Sequence, residues 1–416
     1  MTLQPVRGTK DLLFDDFAHM QQIQDLCFKE SALFGYAPMA TPIFEFTSVF
    51  HRLGETSDVV SKETYTFEDR GGESLSLRPE GTAPVVRAVL SNGLSQQLPL
   101  KLSYAGPMFR YERPQKGRQR QFHQFGIEFM GPESPLADAE VILLGWQILQ
   151  KLGVDKGITL RLNSLGCSES RATYTKALVA YLETVQKDLS EESQARLHKN
   201  PLRVLDSKDK GDQALVKDAP RLPEFWTPEA KQHFDVVCKT LDEAGVPYQL
   251  DSKLVRGLDY YCHTAFEFLH QDLGAQAAVI AGGRYNGLAK DLGGPDLSAV
   301  GWGLGFERLQ LVTKPPQAAR PLAFIVPISE DEAATSFAIS QKMRQEGLQV
   351  QMLYDGSLKK QLKKIAGFKA RYALLCGAEE CKAKSVLMKD LDQGTQESVS
   401  VENLAERLKS MDGEKT

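Results

Sequence analysis

The stretch FRYERPQKGRQRQFHQFGIEF, Phe109–Phe129, decides how this chain is read. It gathers Arg110, Arg113, Lys116, Arg118 and Arg120 around Pro114 and Gly117, in a chain of 416 residues whose formal net charge is -4. The positive charge is therefore local and needs a local reason. Proline and glycine mark a turn. After it, a period of two puts His123, Phe125, Ile127 and Phe129 on one strand face and Arg120, Phe122, Gln124, Gly126 and Glu128 on the other. On the strand entering the turn, Met108, Arg110 and Glu112 alternate with Phe109 and Tyr111. Two antiparallel strands would line one surface with Arg110, Glu112, Phe122, Gln124 and Glu128. A solvated sheet face would share this pattern, but not the cationic loop or the aromatic ring set among polar groups.

Three other stretches carry similar patterns. In ESLSLRPEGTAP (73–84), Leu75 and Leu77 alternate with Ser76, Arg78 and Glu80, and Pro79 and Gly81 end the strand at the carboxylate. LVRGLDYY (254–261) places Arg256, Asp259, Tyr260 and Tyr261 together, either as an Arg–Asp pair or as an anion site with close backbone approach at the glycine. AGGRYNGL (281–288) and GWGLGFERL (301–309) are glycine-rich but match neither the phosphate-wrapping loop nor the dinucleotide fingerprint. A bound nucleotide would have to be held by arginines. Arg308, at the start of a helix, offers a bidentate guanidinium for a phosphate.

With 42% hydrophobic residues, the chain has room for two or three domains with buried cores. Strand-like runs alternate with helical stretches at 15–34 and 136–152, which predicts an α+β domain on an antiparallel sheet with flanking helices. Residues 167–235 read as a helical insertion, so the first domain is split into 1–166 and 236–313. TKPPQAARP reads as a linker, placed at 314–321. In 322–416, strand and helix alternate regularly, predicting an α/β domain with a partly parallel sheet. The N-terminus lacks a signal-peptide core, and VILLGWQIL (141–149) is too short to span a membrane. A cytosolic location is expected. The six cysteines, Cys27, Cys167, Cys238, Cys262, Cys376 and Cys381, form no CxxC pair, and the histidines form no HExxH, so a metal held by a His/Cys cluster is not expected.

These segments, in this order, resemble the class II aminoacyl-tRNA synthetases. GYAPMATPIFEFTSVF (35–50) looks like their first signature, with Pro42 at a dimer interface. The opening stretch looks like the second and GWGLGFERL the third. LVRGLDYY and AGGRYNGL are similar to segments peculiar to the histidyl-tRNA synthetase family, and RGTKDLL (7–13), DGSLKKQLKKI (355–365) and RYALLCGAEE (371–380) extend the resemblance over nearly the whole chain.

The resemblance implies a ligase that activates L-histidine with ATP, in the presence of Mg2+, and passes it to histidine tRNA. It also implies a homodimer. Glu80, Gly81, Thr82 and Gln124 would hold the α-amino end of histidine, with Glu128 and Tyr261 facing the imidazole and Tyr260 alongside. Arg110 would hold the ATP α-phosphate and Arg308 the γ-phosphate. Phe122 would stack on adenine, with Glu112 near the base or metal. Arg256 would lie beside the α-phosphate and the substrate carboxylate, making Arg110 and Arg256 the catalytic pair. Arg113, Gln115 and Arg118 would reach the acceptor stem of the tRNA. The last domain, with Lys359, Lys360, Lys363 and Lys364 on its second helix, would read the anticodon. Asn286, Cys262, His263 and Phe306 depart from the usual pattern, in positions that support the site. The competing reading is a non-catalytic paralogue, the regulatory subunit of ATP phosphoribosyltransferase. That family generally lacks the last domain and degrades the RGLDYY arginine and the acceptor-stem loop, all of which this chain keeps.

Overall fold

The computed structural model describes residues 3–52, 62–205, 207, 209–255, 260–316, 322–354 and 356–412. Residues Met1–Pro316 form one compact unit and Gln317–Thr416 a second. The strands of the first unit are β1 (Ala37–Met39), β2 (Phe44–Phe46), β3 (Thr66–Glu68), β4 (Ser74–Leu77), β5 (Leu100–Phe109), β6 (Gln121–Met130), β7 (Ile158–Ser164), β8 (Gln249–Leu250), β9 (Cys262–His270), β10 (Ala278–Arg284) and β11 (Ala299–Gly305). Eight of them make one sheet in the order β1-β5-β6-β11-β10-β9-β7-β8. Its inner pairs are antiparallel, and β1 on β5 and β8 on β7 are parallel edges. β2, β4 and β3 form a separate small sheet.

The opening stretch follows its predicted period. β5 and β6 pair from Leu100 opposite Met130 to Phe109 opposite Gln121. Phe125, Ile127 and Phe129 enter one apolar core with the helices Phe14–Leu33, Pro135–Lys151 and Pro228–Glu243. The opposite face carries Tyr104 and Met108 into a second core with helix Thr82–Ser91. Two expectations need correction. The ladder stops at Phe109, so Arg110 and Glu112 stand on a loop rather than a strand, and within that loop Gln115 and Arg118 form an isolated bridge. Four of the turn's side chains are cations, and a cationic turn keeps its solvation better off the ladder. His123, assigned to the apolar face, pairs its ring with Glu307 at 2.9 Å instead.

The long helices begin where their caps dictate. Ser134 Oγ accepts from the Leu136 N–H and Thr227 Oγ1 from the Ala230 N–H, each followed by a proline at the first helical position. The helix Pro228–Glu243 runs through the edge drawn at residue 235 and packs as one piece, burying Phe234, Val237 and Leu241 in the first core. Upstream of it, Tyr174, Leu178, Leu182 and Leu222 of the helical segment join the second core. The second unit contains β12 (Ala323–Pro327), β13 (Val350–Met352), β14 (Tyr372–Cys376), β15 (Ser385–Asp390) and β16 (Gln396–Ser400) in the order β13-β12-β14-β15-β16. The first three are parallel and the last two antiparallel, which is the partly parallel sheet its alternation predicts.

One carboxylate organises the helical segment. Asp212 accepts from the Ser190 N–H (2.8 Å) and from the hydroxyls of Ser190 (2.7 Å), Ser193 (2.6 Å) and Ser207 (2.6 Å). Burial opposes its charge, but these donors outweigh burial and pull its pKa down to about 2. A depressed carboxylate contributes stability that is complete above the unfolded value and fades as pH falls through the folded one. Native-state hydrogen-exchange protection, taken relative to the intrinsic amide rate, should therefore fall over 190–205 and 209–215 as pH drops from about 4 toward about 2. Asp212→Ala should cost about 1–3 kcal/mol in that segment and abolish the pH response.

Candidate active site

A cavity of about 300 Å³ opens on the sheet face opposite the long helices. One end is acidic. Glu80 follows β4 and precedes helix Thr82–Ser91, so its carboxylate accepts from the first free N–H groups of that helix, those of Thr82 (2.7 Å) and Ala83 (2.8 Å). Burial pushes its pKa up, while these bonds and the charge of Arg110 resist. Behind the wall lies Glu128, fully buried. Its Oε1 accepts from Thr82 Oγ1 (2.8 Å) and the Tyr104 hydroxyl (3.1 Å), and its Oε2 from the Tyr285 hydroxyl. Burial raises Glu128 to about 8, against the pull of the Tyr285 and Thr82 hydroxyls and with a further push from Glu80. Two glycines make the packing possible. A methyl at Gly126 would overlap the Tyr104 ring, and one at Gly301 would overlap the Glu128 carboxylate.

The other end is cationic. Arg110 donates through Nε to the Pro79 carbonyl (2.8 Å) and lies 5.2 Å from the Phe122 ring centre. Arg308 donates to the carbonyls of Gly117 (3.1 Å) and Ala278 (2.7 Å), which orients its guanidinium along the cavity wall. Arg118 pairs with Glu112 and, at 3.4 Å, with Glu63. Desolvation lowers the proton affinity of Arg308, and Arg110 and Arg118 lower it further by repulsion. Three guanidinium groups converging on one buried surface are a site for anions.

Of the residues expected from sequence, Glu80, Gly81, Thr82, Arg110, Glu112, Phe122, Gln124, Tyr260, Tyr261 and Arg308 line this cavity. Arg118, assigned to the acceptor stem, also lines it, because its pairing with Glu112 folds it inward. Arg113 and Gln115 lie outside it, and Glu128 stands one layer behind. Arg256 falls outside the described residues. Sequence reading missed Tyr104, Glu267 and Glu307. Tyr104 was within reach, since the phase that puts Met108 on the site face puts Tyr104 there too. Glu307 accepts from the His123 backbone N–H through both oxygens (2.9 and 3.0 Å), a contact across 184 positions that local pattern does not signal.

Residues 8–309 match the family model described as histidyl-tRNA synthetase, and 323–411 match an anticodon binding domain. The chain belongs to the histidyl-tRNA synthetase family. It is 50% identical over 409 residues to the histidine–tRNA ligase of Rhodospirillum rubrum, covering 98% of each chain. It is 49% identical over 414 residues to that of Gluconacetobacter diazotrophicus, covering 99% of this chain and all of the other. The crystal structure of apo S. aureus histidyl-tRNA synthetase superposes with a TM-score of 0.83 at 33% identity, covering 98% of this chain and 100% of that one.

Asn286, Cys262, His263 and Phe306 lie outside the cavity lining. Asn286 accepts through Oδ1 from Ser298 Oγ (2.9 Å) and the Ala299 N–H (3.3 Å), which holds the turn. Its own N–H donates to Cys262 Sγ at 3.3 Å. His263 packs 4.9 Å from the His233 ring, and Phe306 is buried in the first core. The raised Glu128 gives a pH signature. An unfolded glutamate ionises near pH 4.3 while the buried one stays protonated toward pH 8, so this group costs stability progressively across that interval. Thermal midpoints of the ligand-free protein should fall from pH 5 to pH 8, and Glu128→Gln should flatten that slope.

Proposed function

We propose that this cavity activates L-histidine with ATP and then transfers it to the 3′ end of histidine tRNA. The chain is an aminoacyl-tRNA ligase. Full-length relatives at 49–50% identity carry the histidine–tRNA ligase name, and the regulatory-subunit reading is not favoured. The observation that supports the residue assignments is the polarity of the cavity, with the Glu80 carboxylate at one end and, at the other, the guanidinium groups of Arg110, Arg118 and Arg308 among the carboxylates of Glu112, Glu267 and Glu307. An amino-acid ammonium fits the first end and a triphosphate the second.

Glu80, Thr82 and Gln124 bind the α-amino group, and the Tyr261 hydroxyl faces the imidazole with Tyr260 alongside. Glu128 faces the imidazole when one of its hydroxyl donors gives way, exchanging that donor for a ring N–H. Phe122 stacks on adenine, Arg110 holds the α-phosphate, and Arg308 the γ-phosphate. The histidine carboxylate oxygen then bonds to the α-phosphorus as the α–β phosphoanhydride breaks and pyrophosphate leaves. Guanidinium groups offset the approach of two anions and the charge that develops, so no general base is required. Arg256 joins Arg110 in this role. A ribose hydroxyl of the tRNA end attacks the adenylate carbonyl in the second step, releasing AMP.

Among the described residues, no group of three or more His, Cys, Asp or Glu is placed to hold a metal ion. Mg2+ needs only one or two carboxylates when phosphates supply the rest, and Glu112 and Glu267 on the cavity wall fit that role. The ion would offset phosphate charge during transfer. No described helix is long and apolar enough to cross a membrane, and we place the enzyme in the cytosol. The small sheet leaves Ile43, Phe44, Phe46 and Phe67 each more than two-fifths exposed beside Pro42, an apolar surface that a second copy covers in a homodimer.

The pure protein should exchange pyrophosphate into ATP with histidine, and a folded protein without this activity would overturn the reading. Arg118→Ala should lose exchange and tRNA charging together, because Arg118 lines the cavity. Arg113→Ala should slow charging while sparing exchange, as measured by steady-state aminoacylation and exchange on the same preparations.

A further inference from the structure

Tyr261 is held from outside the sheet. Arg171, on helix Ser168–Thr184, donates through Nη1 to the Tyr261 carbonyl at 2.6 Å. Two backbone bonds zip the entry of the same helical segment to the residues that follow Tyr261: the His263 N–H donates to the Gly166 carbonyl (2.9 Å) and the Leu165 N–H to the His263 carbonyl (2.6 Å). They prolong the pairing of β7 with β9 beyond Ser164 and Thr264.

External support is needed there because the start of β9 leaves the regular ladder. Gly283 pairs with Ala265, but Arg284 pairs with Cys262. Irregularities of this kind re-aim side chains and recur beside functional sites. His263 lies at φ 45, a conformation that side chains with a Cβ seldom adopt and that persists only when the surroundings impose it. The aromatic rings are linked as well, with Tyr260 4.6 Å from Tyr261 and 5.8 Å from Tyr285, which donates to Glu128. A shift of the Tyr261 backbone would therefore spread across the wall assigned to histidine.

We propose that Arg171 is a positioning residue for Tyr261, through which the helical segment sets the enzyme's affinity for histidine. The inference rests on the assignment of Tyr261 to the histidine site. Arg171 is not among the residues that line the cavity. It fixes a backbone carbonyl, and a small displacement at a binding wall costs affinity for the group bound there and not for the nucleotide at the far end.

The test is pyrophosphate exchange by the full-length enzyme, with KM measured separately for histidine and ATP in Arg171→Ala, Arg171→Lys, Tyr261→Phe and the Arg171→Ala/Tyr261→Phe double variant. Losing one charge-assisted hydrogen bond should raise the histidine KM of Arg171→Ala about tenfold with the ATP KM within about twofold of wild type. Arg171→Lys should recover part of the loss, and the double variant should fall short of the product of the single effects. An unchanged histidine KM in Arg171→Ala, alongside a raised one in Tyr261→Phe, would overturn the positioning role. So would equal rises in both KM values with a lowered thermal midpoint, the mark of a general structural brace. A normal histidine KM in Tyr261→Phe would instead overturn the assignment of Tyr261, and this inference with it.

Discussion

Glu128 is a carboxylate with no access to water, held by hydroxyl groups from three separate parts of the chain. Thr82 comes from the helix after β4, Tyr104 from β5, and Tyr285 from the turn after β10. Gly126 and Gly301 leave the volume into which Tyr104 and the carboxylate fit. Five elements must therefore be in register before this group is satisfied. A buried carboxylate left without donors would cost several kcal/mol, so its network selects one arrangement of the sheet over its near neighbours. The same network leaves a group whose charged form is disfavoured until a ligand donor arrives.

Electrostatic tension of this kind runs through the whole cavity. Glu80 pushes Glu128 toward its neutral form, and Arg110 and Arg118 do the corresponding thing to Arg308. Like charges are kept together in a partly dry site, at a cost met by the cores around it. On the proposed assignment, a substrate group of opposite sign would relieve each end. Donors fixed before the reaction need not reorganise during it, which is where such sites obtain most of their rate. Arg110 and Arg308 show how the fixing is done: backbone carbonyls of Pro79, Gly117 and Ala278 occupy some of their N–H groups and thereby set the direction of each guanidinium.

Much of this was legible in the sequence, for a physical reason. Strand period is a local property, so the sorting of Phe125, Ile127 and Phe129 from Phe122, Gln124 and Glu128 could be read directly and is matched by the two cores. Charge in the turn was also visible, but its destination was not. Arg118 turns into the cavity because Glu112 is there to receive it, and that pairing depends on a loop rather than on a ladder. Long-range partners were out of reach: nothing near Glu307 in sequence points to His123, and nothing near Arg171 points to Tyr261. The hub at Asp212 gathers serines whose meeting only the folded segment reveals.

The central claim is that Glu128 reads the imidazole, and the most direct measurement compares exchange supported by L-histidine with that supported by an analogue whose ring lacks the N–H, such as 2-thiazolylalanine. A site built around a buried acceptor rejects a ligand lacking the matching donor by up to about 10⁴-fold. Wild-type enzyme should show discrimination of that order, and Glu128→Gln should lose most of it while keeping its ATP KM. A Glu128→Gln enzyme that discriminates as sharply as wild type would contradict the claim.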